Sequence, residues 1–209
     1  MEYLAVLAGI AAIHLVAISS PGPTLFVVAG HANAPNRSAG FFVVVGVVLA
    51  TLVWSTFAAA GLNVAMNAVP WLPVAIRVFG GAYLAWFGYK MIRSAMKKGP
   101  AVDLADGEGT PIPPLVALRS GFVTNISNPK VIAYYVSLFG VMIPTDAPAP
   151  FYIAVVMTAA VVSAAWWGVV ALFFRLPVVR RIFKRIRRVF DLGVGGALVV
   201  FGLKLISGR

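Results

Sequence analysis

The chain has 209 residues, 61% of them hydrophobic and 11% charged, with a mean hydropathy of +0.94. Soluble domains run at about 45–50% apolar and about 25% charged, so a membrane protein is expected, and the absence of cysteine excludes disulfides, thiolate metal sites and cysteine nucleophiles. The net charge of +11 lies in short segments beside apolar spans, where anionic lipid headgroups are the natural partner and nucleic acid is not.

A bilayer core needs about 20 apolar residues per helix, and six segments are predicted as spans. The first runs from about Leu4 to Gly30. Met1-Glu2-Tyr3 has no basic n-region, so this segment reads as a retained span and not as a signal peptide. Within it, Ile18-Ser19-Ser20-Pro21-Gly22-Pro23-Thr24 cannot continue an ordinary helix. An interior proline removes a backbone donor and clashes with the preceding turn, at a cost of about 3 kcal/mol. In lipid the freed groups need partners in protein or in a water-filled cavity.

The second span is predicted from about Ala39 to Leu62 and the third from about Leu72 to Ile92. The polar stretch from Arg93 to Pro114 reads as a linker. The fourth span runs from about Leu115 to Ile143, interrupted at Asn125 to Lys130. The fifth runs from about Phe151 to Phe174 and the sixth from about Val189 to Ile206. Between them, Val178, Val179, Ile182, Phe183, Ile186, Val189 and Phe190 fall at helical spacing, with Arg180, Arg181, Lys184, Arg185, Arg187 and Arg188 in the gaps. This is the pattern of a basic amphipathic helix in the inner headgroup layer, and it also serves as a topology anchor. Anionic lipid headgroups at residues 175–188 are the partner it implies.

Most of the 17 lysines and arginines fall in or beside the loops after the first, third and fifth spans. Lysine and arginine mark the cytoplasmic side, so both termini are expected outside. Trp71 and Tyr152 suit the outer interface as anchors.

The two halves are similar. Ile18-Ser19-Ser20-Pro21 aligns with Ile126-Ser127-Asn128-Pro129, Trp54 with Trp166, and Gly80-Gly81-Ala82 with Gly195-Gly196-Ala197. Phe87-Gly88-Tyr89-Lys90 aligns with Phe201-Gly202-Leu203-Lys204. Three spans per repeat force the halves into opposite orientation, the arrangement of many secondary transporters, with the site near the midplane where the breaks meet. The expected fold is therefore an all-α membrane protein: six transmembrane helices as two inverted three-helix repeats, the first and fourth helices broken. It forms one integral domain, residues 1–209, with repeat one at about 1–92, a cytoplasmic linker at about 93–114 and repeat two at about 115–209.

The candidate substrate-binding residues are Ser20, Pro21, Gly22, Pro23 and Thr24 at the first break, and Asn125, Asn128, Pro129 and Lys130 at the second. A charge at membrane depth costs at least about 2.5–3.5 kcal/mol on insertion scales, which makes Lys130 a functional candidate. Its ammonium suits an α-carboxylate, and a buried lysine also changes protonation readily; the bland alternative is that it only bonds carbonyls freed by the first break. His14 lies about two turns before Pro21. With Lys130 it is a candidate for proton coupling, against the alternative of a packed histidine. The carboxylates Glu2, Asp103, Asp106, Glu108, Asp146 and Asp191 lie in loops or at span ends, so no metal site and no cofactor are expected. Gly80, Gly81, Gly88, Gly195, Gly196 and Gly202 form small-residue faces for close helix packing.

On these residues the chain resembles the LysE/RhtB family of amino-acid exporters over nearly its whole length. The likeness rests on Ser20-Pro21-Gly22-Pro23, on Gly80-Gly81-Ala82-Tyr83-Leu84 with Gly88, and on Asn125 with Asn128-Pro129-Lys130. It implies a bacterial inner-membrane secondary transporter that exports amino acids or small zwitterionic derivatives by antiport with the proton or ion gradient. The family often has a glycine and then a polar or acidic residue after the position of Gly46; here those positions are Ala50 and Thr51. An enzyme is not expected, since no clustered acids or nucleophile–base pair is visible. A non-transporting scaffold or regulatory subunit, an exporter of another solute such as a metal ion, and homo-oligomerisation stay open.

Overall fold

The computed structural model describes residues 2–20, 22–61, 71–96, 110–135, 143 and 147–207. These are helical nearly throughout, with no strand among them. Helix α1 spans Glu2–Ser19, α2 Pro23–Ala32, α3 Arg37–Thr56, α4 Leu72–Met96, α5 Pro114–Ile126, α6 Pro129–Tyr134, α7 Ala149–Phe173 and α8 Pro177–Ser207. Helix α3 runs on into a π-helical turn, Phe57–Gly61.

Proline sets several of the starts. Pro23, Pro114, Pro129 and Pro177 are the first residues of their helices, where a missing N–H costs nothing and a fixed φ is already helical. The prolines that break the first and fourth predicted spans therefore also begin the helices that follow. Helices α1 and α2 meet at 73°. Gly22 ends the bend in an extended conformation, φ −167° and ψ −176°. Asn128 caps α6 by accepting from the Lys130 backbone N–H.

Among the described residues, two helices are long and apolar enough to cross a membrane alone: the stretch Arg37–Ala59 and Ala149–Phe173. The bent pair α1–α2 counts as a third if it is one broken span. The outer surface is apolar, with Leu4, Phe79, Leu115, Ile153 and Leu172 all exposed, as lipid contact requires. The chain is thus an all-helical membrane protein.

Several predicted boundaries shift. The amphipathic segment and the sixth predicted span are one uninterrupted helix from Pro177, because no proline or glycine lies between Pro177 and Gly193 to end it. Its apolar residues divide: Val179 and Phe183 pack on the protein, Phe183 against Phe174 at 5.1 Å, while Val178, Ile182 and Ile186 are exposed. The third helix continues to Met96, so the predicted linker loses its first residues. Residues 97–109, 62–70 and 136–142 lie outside the described residues, as does Pro21.

The core sits where α2, α3, α5 and α7 meet, around Val28, Ala29, Val43, Val47, Ala117 and Trp167. A second core joins α1, α6 and α7 through Ile10, Tyr134, Tyr135, Val155 and Ala159. Glycine permits the tightest crossings. A Cβ on Gly46 would run into the Leu118 carbonyl, and one on Gly121 into that of Val43, so α3 and α5 touch backbone to backbone. Helices α4 and α8 cross in the same way, Gly81 facing Gly202 and Gly88 facing Gly195. Gly196 meets nothing within 4 Å and is not part of that seam.

Candidate functional site

The two breaks face each other. Lys130 is buried, and its Nζ donates to the Ser20 carbonyl at 2.8 Å. Its aliphatic stem runs past Gly22, where a Cβ would lie 3.9 Å from Lys130 Cδ. The Phe87 ring of α4 lies 5.9 Å from the ammonium, within reach of a weak cation–π attraction. An ammonium has three donors, and among the described residues Ser20 O is the one acceptor bonded to Nζ.

Between the breaks lies a cavity of about 30 Å³, room for one or two waters. Ser20, Gly22, Thr24, Asn125, Asn128, Lys130 and His14 all line it. Of the predicted residues, Pro23 is exposed and does not line it; its place is at the start of α2. Pro129 begins α6, and Pro21 lies outside the described residues. Ser127 is exposed. The Ser20 hydroxyl is buried at the wall of the cavity without a partner among the described residues. No carboxylate belongs to the described lining, and no three of His, Cys, Asp and Glu come together among the described residues.

A hydrogen-bonded chain leads from the cavity to His14, and backbone partners fix the orientation of its two asparagines. The Asn128 Oδ1 accepts from the Lys130 backbone N–H at 3.1 Å, so its Nδ2 donates to Thr24 Oγ1 at 3.2 Å. Thr24 donates onward to Asn125 Oδ1 at 3.3 Å. The Asn125 Nδ2 donates to the Val47 carbonyl at 3.1 Å, a group that only accepts, and to Thr51 Oγ1 at 3.4 Å. Thr51 donates to Ser163 Oγ at 3.4 Å, and Ser163 lies 2.8 Å from His14 Nε2. Each hydroxyl has a single proton to give. The other ring nitrogen of His14, Nδ1, faces the Tyr134 hydroxyl at 2.9 Å.

Sequence reasoning missed Thr51, Tyr134 and Tyr135 as lining residues and Ser163 as the link to His14. A signal was present for three of them. Thr51 and Ser163 are 112 residues apart, the interval that separates Trp54 from Trp166. Tyr134 follows Lys130 by one helical turn and shares its face. The tryptophans are also placed differently: Trp54 Nε1 donates to the Ile126 carbonyl at the second break, 3.1 Å away. Trp166 Nε1 is buried and has no partner among the described residues.

A family model described as LysE type translocator matches residues 15–209. The chain is 34% identical over 207 residues to the threonine efflux protein of Salmonella typhi, covering 96% of this chain and 97% of that one. Identity and coverage are the same for the threonine efflux protein of Escherichia coli K12. It is 30% identical over 150 residues to the leucine efflux protein of Klebsiella pneumoniae, covering 72% and 67%. No solved structure matches. A profile match over almost the whole length, supported by relatives matched end to end, shows that the chain belongs to the LysE type translocator family.

Proposed function

We propose that the protein is a secondary transporter, not an enzyme, that carries neutral amino acids out of the cytoplasm. The observation that carries this is the buried ammonium of Lys130 between two helix breaks, beside a cavity with no described carboxylate. Such a site pairs with one α-carboxylate. A substrate with a cationic side chain would find no counter-charge there, and a dicarboxylic one would leave a second carboxylate unpaired; both situations are costly in a dry site. The unpartnered Ser20 hydroxyl and the carbonyl at that break supply acceptors for an α-ammonium. The names of the threonine and leucine relatives support the same class.

The cavity is smaller than an amino acid, so entry requires the helices to part. Two inverted repeats of three spans give a means of doing so. Exchange of the repeats carries the main span-to-span contacts onto one another: α3 on α5 corresponds to α7 on α1, while α3 on α7 and α4 on α8 map onto themselves; the half-helices differ, α2 packing on α3, α5 and α7 and α6 chiefly on α4. Thr51 and Ser163 are repeat counterparts and bond to each other. Gly81 with Gly202 and Gly88 with Gly195 are likewise exchanged pairs. In this reading Trp54 bonds Ile126 in the present conformation, and Trp166 bonds Ile18, the counterpart of Ile126, in the alternate one. Ile18 and Trp166 already pack on the same core.

Export by antiport places the coupling proton on His14. Protonation makes both ring nitrogens donors, so the Ser163 and Tyr134 hydroxyls must both accept from the ring, and the change at Ser163 is felt at Thr51 and Asn125. The basic segments favour an inner-membrane orientation with both termini outside, and the basic face of α8 between residues 177 and 188 favours anionic headgroups.

The test is counterflow in proteoliposomes with threonine, serine, leucine, lysine and glutamate. Exchange of the neutral members at least about tenfold above lysine and glutamate is expected, since an unpaired buried charge costs more than 1.4 kcal/mol. Absence of exchange for every member, with the protein folded, would reject the reading.

A further inference from the structure

A second cavity lies on the outer face of the molecule, between α3 and α7, with a volume of about 460 Å³. Its walls are apolar: Phe41, Val45 and Leu49 on one side, Ala164 and Leu172 on the other. Gly168 forms part of the floor, and a Cβ there would meet nothing within 4 Å. One end holds two arginines, Arg37 and Arg175. Arg175 Nη2 donates to the Arg37 carbonyl at 2.8 Å, which ties its guanidinium across the mouth. Gly40 makes room for it, since a Cβ would sit 3.3 Å from Nη2. A guanidinium has five donors, so most of this one is free to face a ligand, and no ion pair with either arginine occurs among the described residues.

The mouth is also the positive end of α3. Asn36, its N-cap, gives its side chain to Ile112 and Ser38 and not to the helix amides. From Arg37 to Leu49 the groove follows about 18 Å of helix, close to the depth of one leaflet, half of about 30 Å. A trough of leaflet length, apolar along its walls and doubly cationic at the interface, is shaped for one molecule.

We propose that this groove binds an anionic phospholipid, with its phosphate between Arg37 and Arg175 and an acyl chain along Phe41, Leu49, Ala164 and Gly168. A second copy of the chain fits less well. A two-fold axis along the membrane normal would bring the arginine pairs of both copies to the same level, where like charges repel. The site is separate from the cavity between the breaks and does not depend on what that cavity transports.

The test is native mass spectrometry and thermal unfolding of the full chain in detergent, with phosphatidylglycerol and phosphatidylcholine of matched acyl chains. The wild type is expected to retain one phosphatidylglycerol and to be stabilised by it more than by phosphatidylcholine. Arg37→Gln with Arg175→Gln should weaken phosphatidylglycerol binding about thirtyfold, the effect of two arginines beside an anionic surface, and phosphatidylcholine, whose phosphate is neutralised by its own ammonium, by less. Gly168→Leu and, as an independent plug, Ala164→Leu should reduce both lipids. Arg180→Gln with Arg181→Gln, on α8, should leave the retained lipid in place. Equal binding of the two lipids by the wild type would overturn the proposal. So would a preference that survives in the Arg37/Arg175 variant, retention that survives both plugs, or a dimer that the plugs convert to monomer.

Discussion

Lys130 Nζ donates to the carbonyl oxygen of Ser20 at 2.8 Å, so the ammonium at the second break occupies an acceptor released by the first. Each break thereby satisfies the other, and the pair closes a site that neither half could form alone. A substrate carboxylate would compete with that carbonyl for the same charge. Under the proposed function, opening of the contact is coupled to binding.

Lys130→Met keeps the length of the side chain and removes the charge. Bonds to charged groups contribute about 1.5–3 kcal/mol, so exchange should fall by about ten- to a hundredfold while membrane insertion is unchanged. Counterflow at matched protein levels measures this. Exchange at the wild-type rate would remove Lys130 from the site.

The chain from Asn128 ends at Ser163 beside Nε2 of His14, with the Tyr134 hydroxyl at Nδ1. Nitrogen NMR of labelled protein should find a proton on Nδ1 of His31, which faces the Val27 carbonyl at 2.8 Å. Under the coupling role, His14→Gln should preserve folding and exchange but abolish the response of net export to an imposed pH gradient. An unaltered response in His14→Gln would leave His14 as a packing residue.

Trp54 and Trp166 should act in opposite directions. Trp54→Phe removes a bond made in the present conformation, and a hydrogen bond contributes about 1 kcal/mol net, so the population should shift about fivefold toward the alternate state. Trp166→Phe should shift it the other way or leave it unchanged. The chain has no cysteine, so single introduced cysteines and their labelling rates report the shift directly. A shift of the same sign in both variants would reject the exchange.

The glycine seams predict a contrast within one residue type. Gly121→Ala drives a methyl group into the Val43 carbonyl, and overpacking of this kind costs about 1–3 kcal/mol. Gly193→Ala meets nothing within 4 Å and should gain about 0.5–1 kcal/mol from helix entropy. Thermal unfolding in detergent separates the two. Equal stability of both variants would contradict the close approach of α3 and α5.

The breaks were legible in the sequence because proline acts locally. Pro23 and Pro129 begin new helices whatever surrounds them, and Lys130 is anomalous by its hydropathy alone. Asn128 was legible through the pairing of the two halves, and Asn125 through its place at the second break and the family resemblance. Thr51 and Ser163 were not, although their spacing was available. A small hydroxyl in an apolar helix satisfies itself as readily on its own backbone as on a neighbour, so its partner is not written in the chain.

The sequence by itself determined a membrane protein, the positions where its helices break, and the buried cation at the second break, because hydropathy and proline stereochemistry depend on near neighbours. Only the tertiary structure decided which residues meet. Lys130 reaches Ser20 and His14 reaches Ser163 across separations of 110 and 149 residues. Those contacts follow from how α1, α3, α5 and α7 pack, and the backbone-to-backbone approach at Gly46 and Gly121 sets the distance at which side chains from different helices come within bonding reach.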